Sequence, residues 1–359
     1  MRALVAMSGG VDSSVAAALL VDRLGPDQVV GATLKLWGGP SDSGCCSVAD
    51  TEDARRVADR LGIVHHVFNF SADFEARVVD HYVQAHGAGR TPNPCVECNR
   101  HIKFERLLRR AADLGFDAVA TGHHARVTVA PSGRHELRRG MDPAKDQSYV
   151  LAMLDQSRLA RVCFPVGRLT KQQVREEAAR RGLRTAAKPD SQDVCFVRRS
   201  EGRHGFLGER LRLHPGRLVD GRSGEDLGEV AAVELVTVGQ RRGMGQDRDG
   251  RRCYATSVDV PGRRVVVGPP EDALAPGVRL GDLSWVDGPP VVPGGPRPPA
   301  LAQCSAHGRP APCRVGPIAE SGELEVSFER PERRVAPGQT VALYAADDPD
   351  RVLGCGIAR

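Results

Sequence analysis

The chain has 359 residues, too many for one compact domain, so two or three are expected. Apolar residues make up 41 %, aromatics 4 % and charged residues 26 %, with a formal net charge of +5, which suits buried cores and is compatible with an anionic partner without demanding one. No apolar run is long enough to span a bilayer, and the run 15–21 follows Ser8-Gly9-Gly10 and Asp12 rather than a basic segment, so a cytoplasmic protein with no signal peptide and no membrane association is expected.

Residues 3–7 predict a short buried strand, 13–24 a helix and 29–36 a second strand. A helix over 50–61 turns Ala54, Val57, Ala58 and Leu61 to one face. A strand at 63–68, helical patterns at 73–83 and 104–114 and a strand at 118–120 follow. This alternation predicts an α/β, Rossmann-like parallel sheet with helices on both faces. Ligands of such sheets bind beyond the carboxyl ends of the strands. Met7, Leu36 and Ala120 end strands there, so the loops after them are expected to converge. A hairpin over 126–137 turns at Pro131-Ser132-Gly133, and Thr170 with Gln173 has capping-box spacing ahead of a helix. After about residue 200 Gly and Pro become frequent, and short strands are expected at 217–219, 233–238, 254–260 and 263–267, then at 323–328 and 340–344. The Pro-rich stretch 288–299 reads as a long loop. Two smaller, mainly β domains therefore follow the first: 1–200, 201–270 and a barrel-like 271–359 are the expected divisions.

The first strand runs into MSGGVDSS, residues 7–14. Strand, glycine turn and helix make an anion site: glycines let the backbone approach, and free N–H groups at the helix start point at the ligand. Ser8, Ser13 and Ser14 add hydroxyl donors. The turn lacks the lysine of G-x-x-x-x-G-K-[ST] and also lacks G-x-G-x-x-G and G-x-S-x-G, so the usual ATPase loop, the dinucleotide fingerprint and the hydrolase elbow are all excluded. SGGVDSS resembles the pyrophosphate (PP) loop of ATP pyrophosphatases. That resemblance implies cleavage of ATP between its α and β phosphates, with Asp12 as helper for Mg²⁺ on the departing pyrophosphate.

Ten cysteines in a cytoplasmic chain argue against a static disulfide framework and leave metal binding, redox chemistry or inert burial. Cys95 and Cys98 lie in TPNPCVECNRHIKF, where the prolines predict an extended loop before a helix starting near Asn99, and a thiol at a helix start has its pKa lowered. Cys195 lies in KPDSQDVCFV. With ATGHHAR, KDQSYVL, GRHGFL, TVGQRRGMG and, more loosely, PGQTVALY, these stretches resemble the tRNA-specific 2-thiouridylases along nearly the whole chain.

The resemblance implies a tRNA-uridine 2-sulfurtransferase. Its substrates would be ATP and a tRNA anticodon arm, whose wobble uridine (position 34) is adenylated on O2 and then thiolated, leaving 2-thiouridine, AMP and pyrophosphate. It carries nucleotide binding to Ala6, Met7, Ser8, Gly9, Gly10, Val11, Asp12 and Ser13, and to Leu34 and Gly122. It makes Cys98 the nucleophile and Cys195 the persulfide carrier, the two forming a transient disulfide. It carries tRNA contacts to His123, Lys145, Asp146, Gln147 and Gln339, and to Arg314, where the aromatic partner expected beside it is Val315. A persulfide donor protein, a cysteine desulfurase or a relay protein, is implied as partner. Some relatives have aspartate where this chain has Cys95. A second mechanism therefore stays open, in which Cys95, Cys98 and Cys195 hold a [4Fe–4S] cluster that delivers sulfide. A catalytically inactive tRNA-binding protein and an AMP-forming ligase with an amine nucleophile are the readings of other classes.

The remaining features read more plainly. Cys45-Cys46 could join Cys95 and Cys98 on zinc, although adjacent cysteines chelate poorly, and Cys163, Cys253, Cys304, Cys313 and Cys355 lack ligand spacing. His65-His66 reads as a packed or exposed strand pair, Arg109-Arg110 and Arg138-Arg139 as solvated faces or RNA-phosphate contacts, and Arg180-Arg181 as a helix end. Only five of the 50 basic residues are lysine, through either codon bias or phosphate recognition by arginine.

Overall fold

The computed structural model describes residues 1–37, 47–190, 194–198, 200–291 and 295–359. Cys45 and Cys46 lie outside the described residues. The chain opens with β1 (Ala3–Ala6), α1 (Val11–Leu24), β2 (Val29–Lys35), α2 (Val48–Leu61) and β3 (Val64–Asn69). Two helical arms follow. The first joins α3 (Ser71–Phe74), a π-wound turn Glu75–Val79 and α4 (Asp80–Gly87). The second joins α5 (Pro94–Glu97), a π-wound stretch Cys98–Arg106 and α6 (Leu107–Asp113). Then come β4 (Ala118–Ala120), the hairpin β5 (Ala125–Val129) and β6 (His135–Arg139), α7 (Gln156–Leu159), β7 (Val162–Cys163), α8 (Lys171–Arg180) and α9 (Gly202–Gly208). Thr170 caps α8 with a complete capping box, as its spacing with Gln173 predicts.

The first sheet is parallel throughout, in the order β3-β2-β1-β4-β7. Its strands alternate faces with period two. Ala3, Val5 and Met7 join one apolar cluster with α1, α2 and α8, whereas Leu4, Ala32 and Leu34 join another with the two helical arms. Helices thus cover both faces, as the alternating sequence pattern predicts.

β8 (Gly216–Asp220), β9 (Asp226–Val230), β10 (Tyr254–Asp259) and β11 (Arg264–Gly268) form a second sheet in the order β10-β11-β8-β9. β12 (Leu274–Trp285), β13 (Pro299–Gln303), β14 (Ala311–Ile318), β15 (Leu324–Arg333), β16 (Thr340–Ala345) and β17 (Val352–Ala358) close a barrel in the order β12-β15-β14-β13-β16-β17. Closure removes the free edges that six antiparallel strands would otherwise expose. The barrel docks on the β5–β6 hairpin. Arg139 lies 3.7 Å over the Tyr344 ring and binds Gln303 at 3.0 Å, while Arg138 reaches Asp348 at 2.7 Å. Val286, Tyr344 and Cys355 of the barrel share the large apolar cluster of the parallel-sheet unit.

Two elements differ from the sequence expectation. Residues 233–238 are not a strand: Val233–Leu235 is a 3₁₀ turn, and Val233 and Val236 are buried without ladder pairing. The helix expected near Asn99 begins five residues earlier, at Pro94. Asn93 caps it, accepting from the Cys95 N–H at 3.0 Å, and proline suits the first helical position. Among the described residues no helix is long and apolar enough to cross a membrane.

Candidate active site

The turn after β1 is pinned from β2. The Met7 N–H donates to Ala32 O and the Thr33 hydroxyl to Met7 O, both at 2.8 Å. Gly9 has φ +71, and a Cβ there would stand 2.1 Å from the Asp50 carbonyl oxygen, so neither the conformation nor the space admits a side chain. Gly10 caps α1 without any side-chain acceptor for the first N–H groups. Ser13 and Ser14 hydroxyls donate to Gly10 O at 3.0 and 2.8 Å, and Ser13 Oγ accepts from the Ser8 N–H at 3.2 Å. The loop after β4 reaches the same place. A Cβ on Gly122 would fall 2.6 Å from Ser13 N and 2.7 Å from the Asp12 carbonyl carbon. The loops after β1 and β4 therefore converge at the start of α1. Leu34, buried in β2, packs in the cluster on the arm-side face of the sheet.

Asp12 is half-buried and paired on both oxygens. It accepts from Lys171 Nζ at 2.8 Å on both oxygens and lies 3.1 Å from His124 Nε2. Burial pushes its pKa up, but the hydrogen bonds from His124 and Lys171 outweigh that and leave it below the usual carboxylate range. Lys171 also bridges to Asp190 at 2.7 Å, and Asp190 binds Lys145 and Arg175, each at 2.9 Å. On the other side of the turn Lys188 donates to Gly9 O at 3.0 Å, to Asp50 at 2.6 Å and to Asp53 at 2.7 Å. The segment 171–190 thus grips the turn on both flanks just before the stretch that carries Cys195.

The thiols lie in contrasting settings. Cys95 is exposed in the first turn of α5, whereas Cys98 is buried where the π-wound stretch begins. Cys195 is half-buried and packs against the same apolar cluster that contains Cys98. Its neighbour Phe196 is buried edge-on against Phe74 and Tyr82, at 5.7 and 5.4 Å between ring centres. Asn99 Nδ2 holds Val150 O at 3.0 Å, tying the Cys98 turn to the segment after Gln147. No three His, Cys, Asp or Glu side chains stand together as a metal site among the described residues, Cys95, Cys98 and Cys195 included. Burial raises Cys163 and Cys355 to about 11 and Cys304 and Cys313 to about 12, which suits inert packing.

The residues tied by resemblance to tRNA are mostly internal. His123 is buried between Phe104 and Phe164, with ring centres at 5.8 Å from each, and burial holds it neutral. Asp146 accepts from Arg139 at 2.7 Å, from the Gly140 N–H at 2.9 Å and from Ser148. Gln147 and His124 exchange two hydrogen bonds at 2.9 Å. Gln339 donates to Thr91 O at 2.5 Å, strapping the barrel to the loop before Cys95. Lys145 is half-buried on Asp190, and Arg314 is exposed on β14 with Nη1 3.3 Å from Arg297 O. Sequence reading quoted His124, Lys188 and Asp190 within motifs but gave them no role, and it passed over Lys171. A signal was available: in a chain with five lysines among 50 basic residues, Lys145, Lys171 and Lys188 all lie beside this turn or on its ion network.

Residues 1–199 match the family described as tRNA methyl transferase HUP domain, and 276–358 match the aminomethyltransferase beta-barrel domain. Over nearly full length the chain is similar to two proteins named tRNA-specific 2-thiouridylase MnmA. It is 46 % identical to that of Mycolicibacterium smegmatis (98 % of each chain) and 47 % identical to that of Mycolicibacterium paratuberculosis (99 % of this chain, 98 % of the other). Among solved structures, the U34-tRNA thiolase NcsA from Methanococcus maripaludis with its [4Fe-4S] cluster aligns over 58 % of this chain and 62 % of its own, at 17 % identity and a TM-score of 0.35. That likeness is too weak to bear on mechanism.

Proposed function

The chain belongs to the tRNA-specific 2-thiouridylase family, and from that premise we propose how its residues divide the work. The protein is a tRNA-uridine 2-sulfurtransferase that converts the wobble uridine to 2-thiouridine at the expense of ATP. We assign residues 1–200 to adenylation and sulfur transfer, 201–270 to a small β-rich unit and 271–359 to a tRNA-contacting barrel.

In our reading the ATP phosphates lie on residues 6–13, with Leu34 and Gly122 lining the nucleotide. The observation that favours this is the bare start of α1, where Gly10 supplies no side-chain cap and Gly9 and Gly122 let the loops after β1 and β4 pack close against backbone. Mg²⁺ would shield the charge of the departing pyrophosphate, with Asp12 as its carboxylate. The wobble uridine must leave the stack for its O2 to reach the α phosphate. Its O2 attacks there and pyrophosphate leaves. The outer sulfur of a Cys195 persulfide then bonds to C2, and AMP leaves with the oxygen. Cys98 attacks Cys195 Sγ, releasing 2-thiouridine and leaving a Cys98–Cys195 disulfide that a reductant reopens. In the other order Cys98 first liberates hydrosulfide, which attacks C2, and the same disulfide results. A cysteine desulfurase or a relay protein reloads Cys195. The cytoplasm, where tRNA and such donors meet, is the compartment this implies.

The single observation that carries the persulfide reading is that Cys195 packs against the cluster burying Cys98, whereas Cys95 stands exposed. For tRNA we propose direct contacts from Lys145 and Arg314. His123, Asp146, Gln147 and Gln339 shape the surface beneath the anticodon arm, since their polar atoms already hold protein partners. The test is incubation with ATP, a persulfide donor and unmodified tRNA, followed by nucleoside analysis. 2-Thiouridine should appear at the wobble position with the unaltered chain and should vanish with Cys98→Ala and with Cys195→Ala. Thiolation surviving in either variant would sink the role given to that thiol. Cys95→Ala should keep activity, and the anaerobic protein should contain no iron.

A further inference from the structure

The turn 7–14 carries no cationic side chain, yet a nucleoside triphosphate brings about four negative charges. A helix start offers only about half a positive charge against them. The missing cation comes from elsewhere in the chain. Lys171 opens α8, its own N–H fixed by Asp142 at 2.9 Å and its turn fixed by the Thr170 capping box. The side chain is 11 % exposed, and its three ammonium hydrogens are matched by both Asp12 oxygens at 2.8 Å and by Asp190 at 2.7 Å. A compact ammonium suits this placement between two carboxylates.

The two carboxylates are not equally dependent on it. Asp190 keeps Lys145 and Arg175 if Lys171 leaves, and Asp12 keeps His124, whose Nε2 is 3.1 Å away. Burial raises Asp190, but Lys171 and Lys145 pull it down to about 2, so Asp190 is ionised and competes with an incoming polyphosphate for the Lys171 ammonium. We propose that Lys171 is a further substrate-contacting residue: its ammonium, held at the turn by Asp12, exchanges Asp190 for an oxygen of the ATP polyphosphate. α8 then supplies, 159 residues after Asp12, the cation that other phosphate loops carry within themselves. The inference rests on the reading of the turn as an ATP site.

Equilibrium binding of ATP and of adenosine to the full-length protein tests it. Lys171→Met should weaken ATP binding about tenfold to a hundredfold, the range for one lost charge-assisted contact, and leave adenosine binding unchanged. Lys171→Arg should restore part of the loss. Asp190→Asn should bind ATP as tightly as the unaltered chain or more tightly, because the competing carboxylate is gone. A purely structural lysine predicts otherwise. Equal losses for ATP and adenosine, or ATP affinity within about twofold of normal in a folded Lys171→Met, overturns the inference and leaves the ATP reading intact. Should Lys171→Met not fold, weaker ATP binding by Asp190→Asn overturns it instead. An unaltered chain that binds no ATP overturns both.

Discussion

Glycine at the turn is a matter of single atoms. At Gly122 a methyl group would meet backbone of α1, which cannot yield as a flexible side chain can. Gly122→Ala should cost about 1–3 kcal/mol of stability and lower ATP-dependent thiolation at least tenfold, read by denaturant unfolding and product formation. The carboxylates make a second residue-scale prediction. Asp190 titrates near 2 in the fold, because the lysine bonds outweigh burial, against about 3.9 when unfolded. A depressed carboxylate stabilises fully above its unfolded value and loses that contribution as pH falls through the folded one. Acid unfolding should therefore steepen between about pH 4 and 2, by an amount on the order of 2 kcal/mol, and Asp190→Asn should flatten that limb. At this scale the sequence was legible wherever partners are neighbours. The glycines and serines of the turn could be read because their bonds span three to five positions. Lys171 and Lys188 could not, since their partners lie 159 and 179 residues away.

Elements were legible when their apolar period and caps agree. The helix after Thr170 is an example, and it carries its own prediction: Thr170→Ala should cost about 1 kcal/mol and raise the KM for ATP, because the cap orients the turn that bears Lys171. The arm with Cys98 was harder. Reading the prolines as an extended loop put the helix start five residues late, because Pro94 instead takes the first helical position under the Asn93 cap; beyond it the winding from Cys98 to Arg106 is π-helical. The wide winding occurs where a buried thiol must face the apolar cluster while His101 remains between Glu97 and Glu105. Its hydrogen bond to the Glu97 carboxylate raises the His101 pKa against a smaller opposing effect of burial. A raised histidine stabilises below its unfolded pKa and stops doing so as pH rises through the folded value. His101→Ala should thus lose more stability at pH 6 than at pH 9, measured by chemical unfolding. Residues 233–238 failed differently: a run of apolar residues reads as a strand, but here tertiary burial, not ladder pairing, uses it.

For the whole molecule the decisive feature is the joint between the parallel-sheet unit and the barrel. Arg139 touches Tyr344, Asp146, Gln303 and the Pro349 carbonyl, so it belongs to both sides at once. Arg139→Ala should cost about 3 kcal/mol, leave ATP affinity intact and weaken tRNA binding, with thermal unfolding separating into two transitions. Barrel closure itself was only partly legible, because the pairing of β12 with β17 joins residues far apart in the chain. The order of the parallel sheet has a consequence for biosynthesis. β1 leaves the ribosome first and takes the middle of the sheet, and later strands add outward on either flank until β7 completes it. Lys171 emerges only after β7, and Asp190 later still. A nascent chain that stops short of α8 therefore carries Asp12 without its ammonium partner Lys171. The turn acquires its lysine partners, Lys171 on Asp12 and Lys188 on Gly9 O, only as translation nears Cys195.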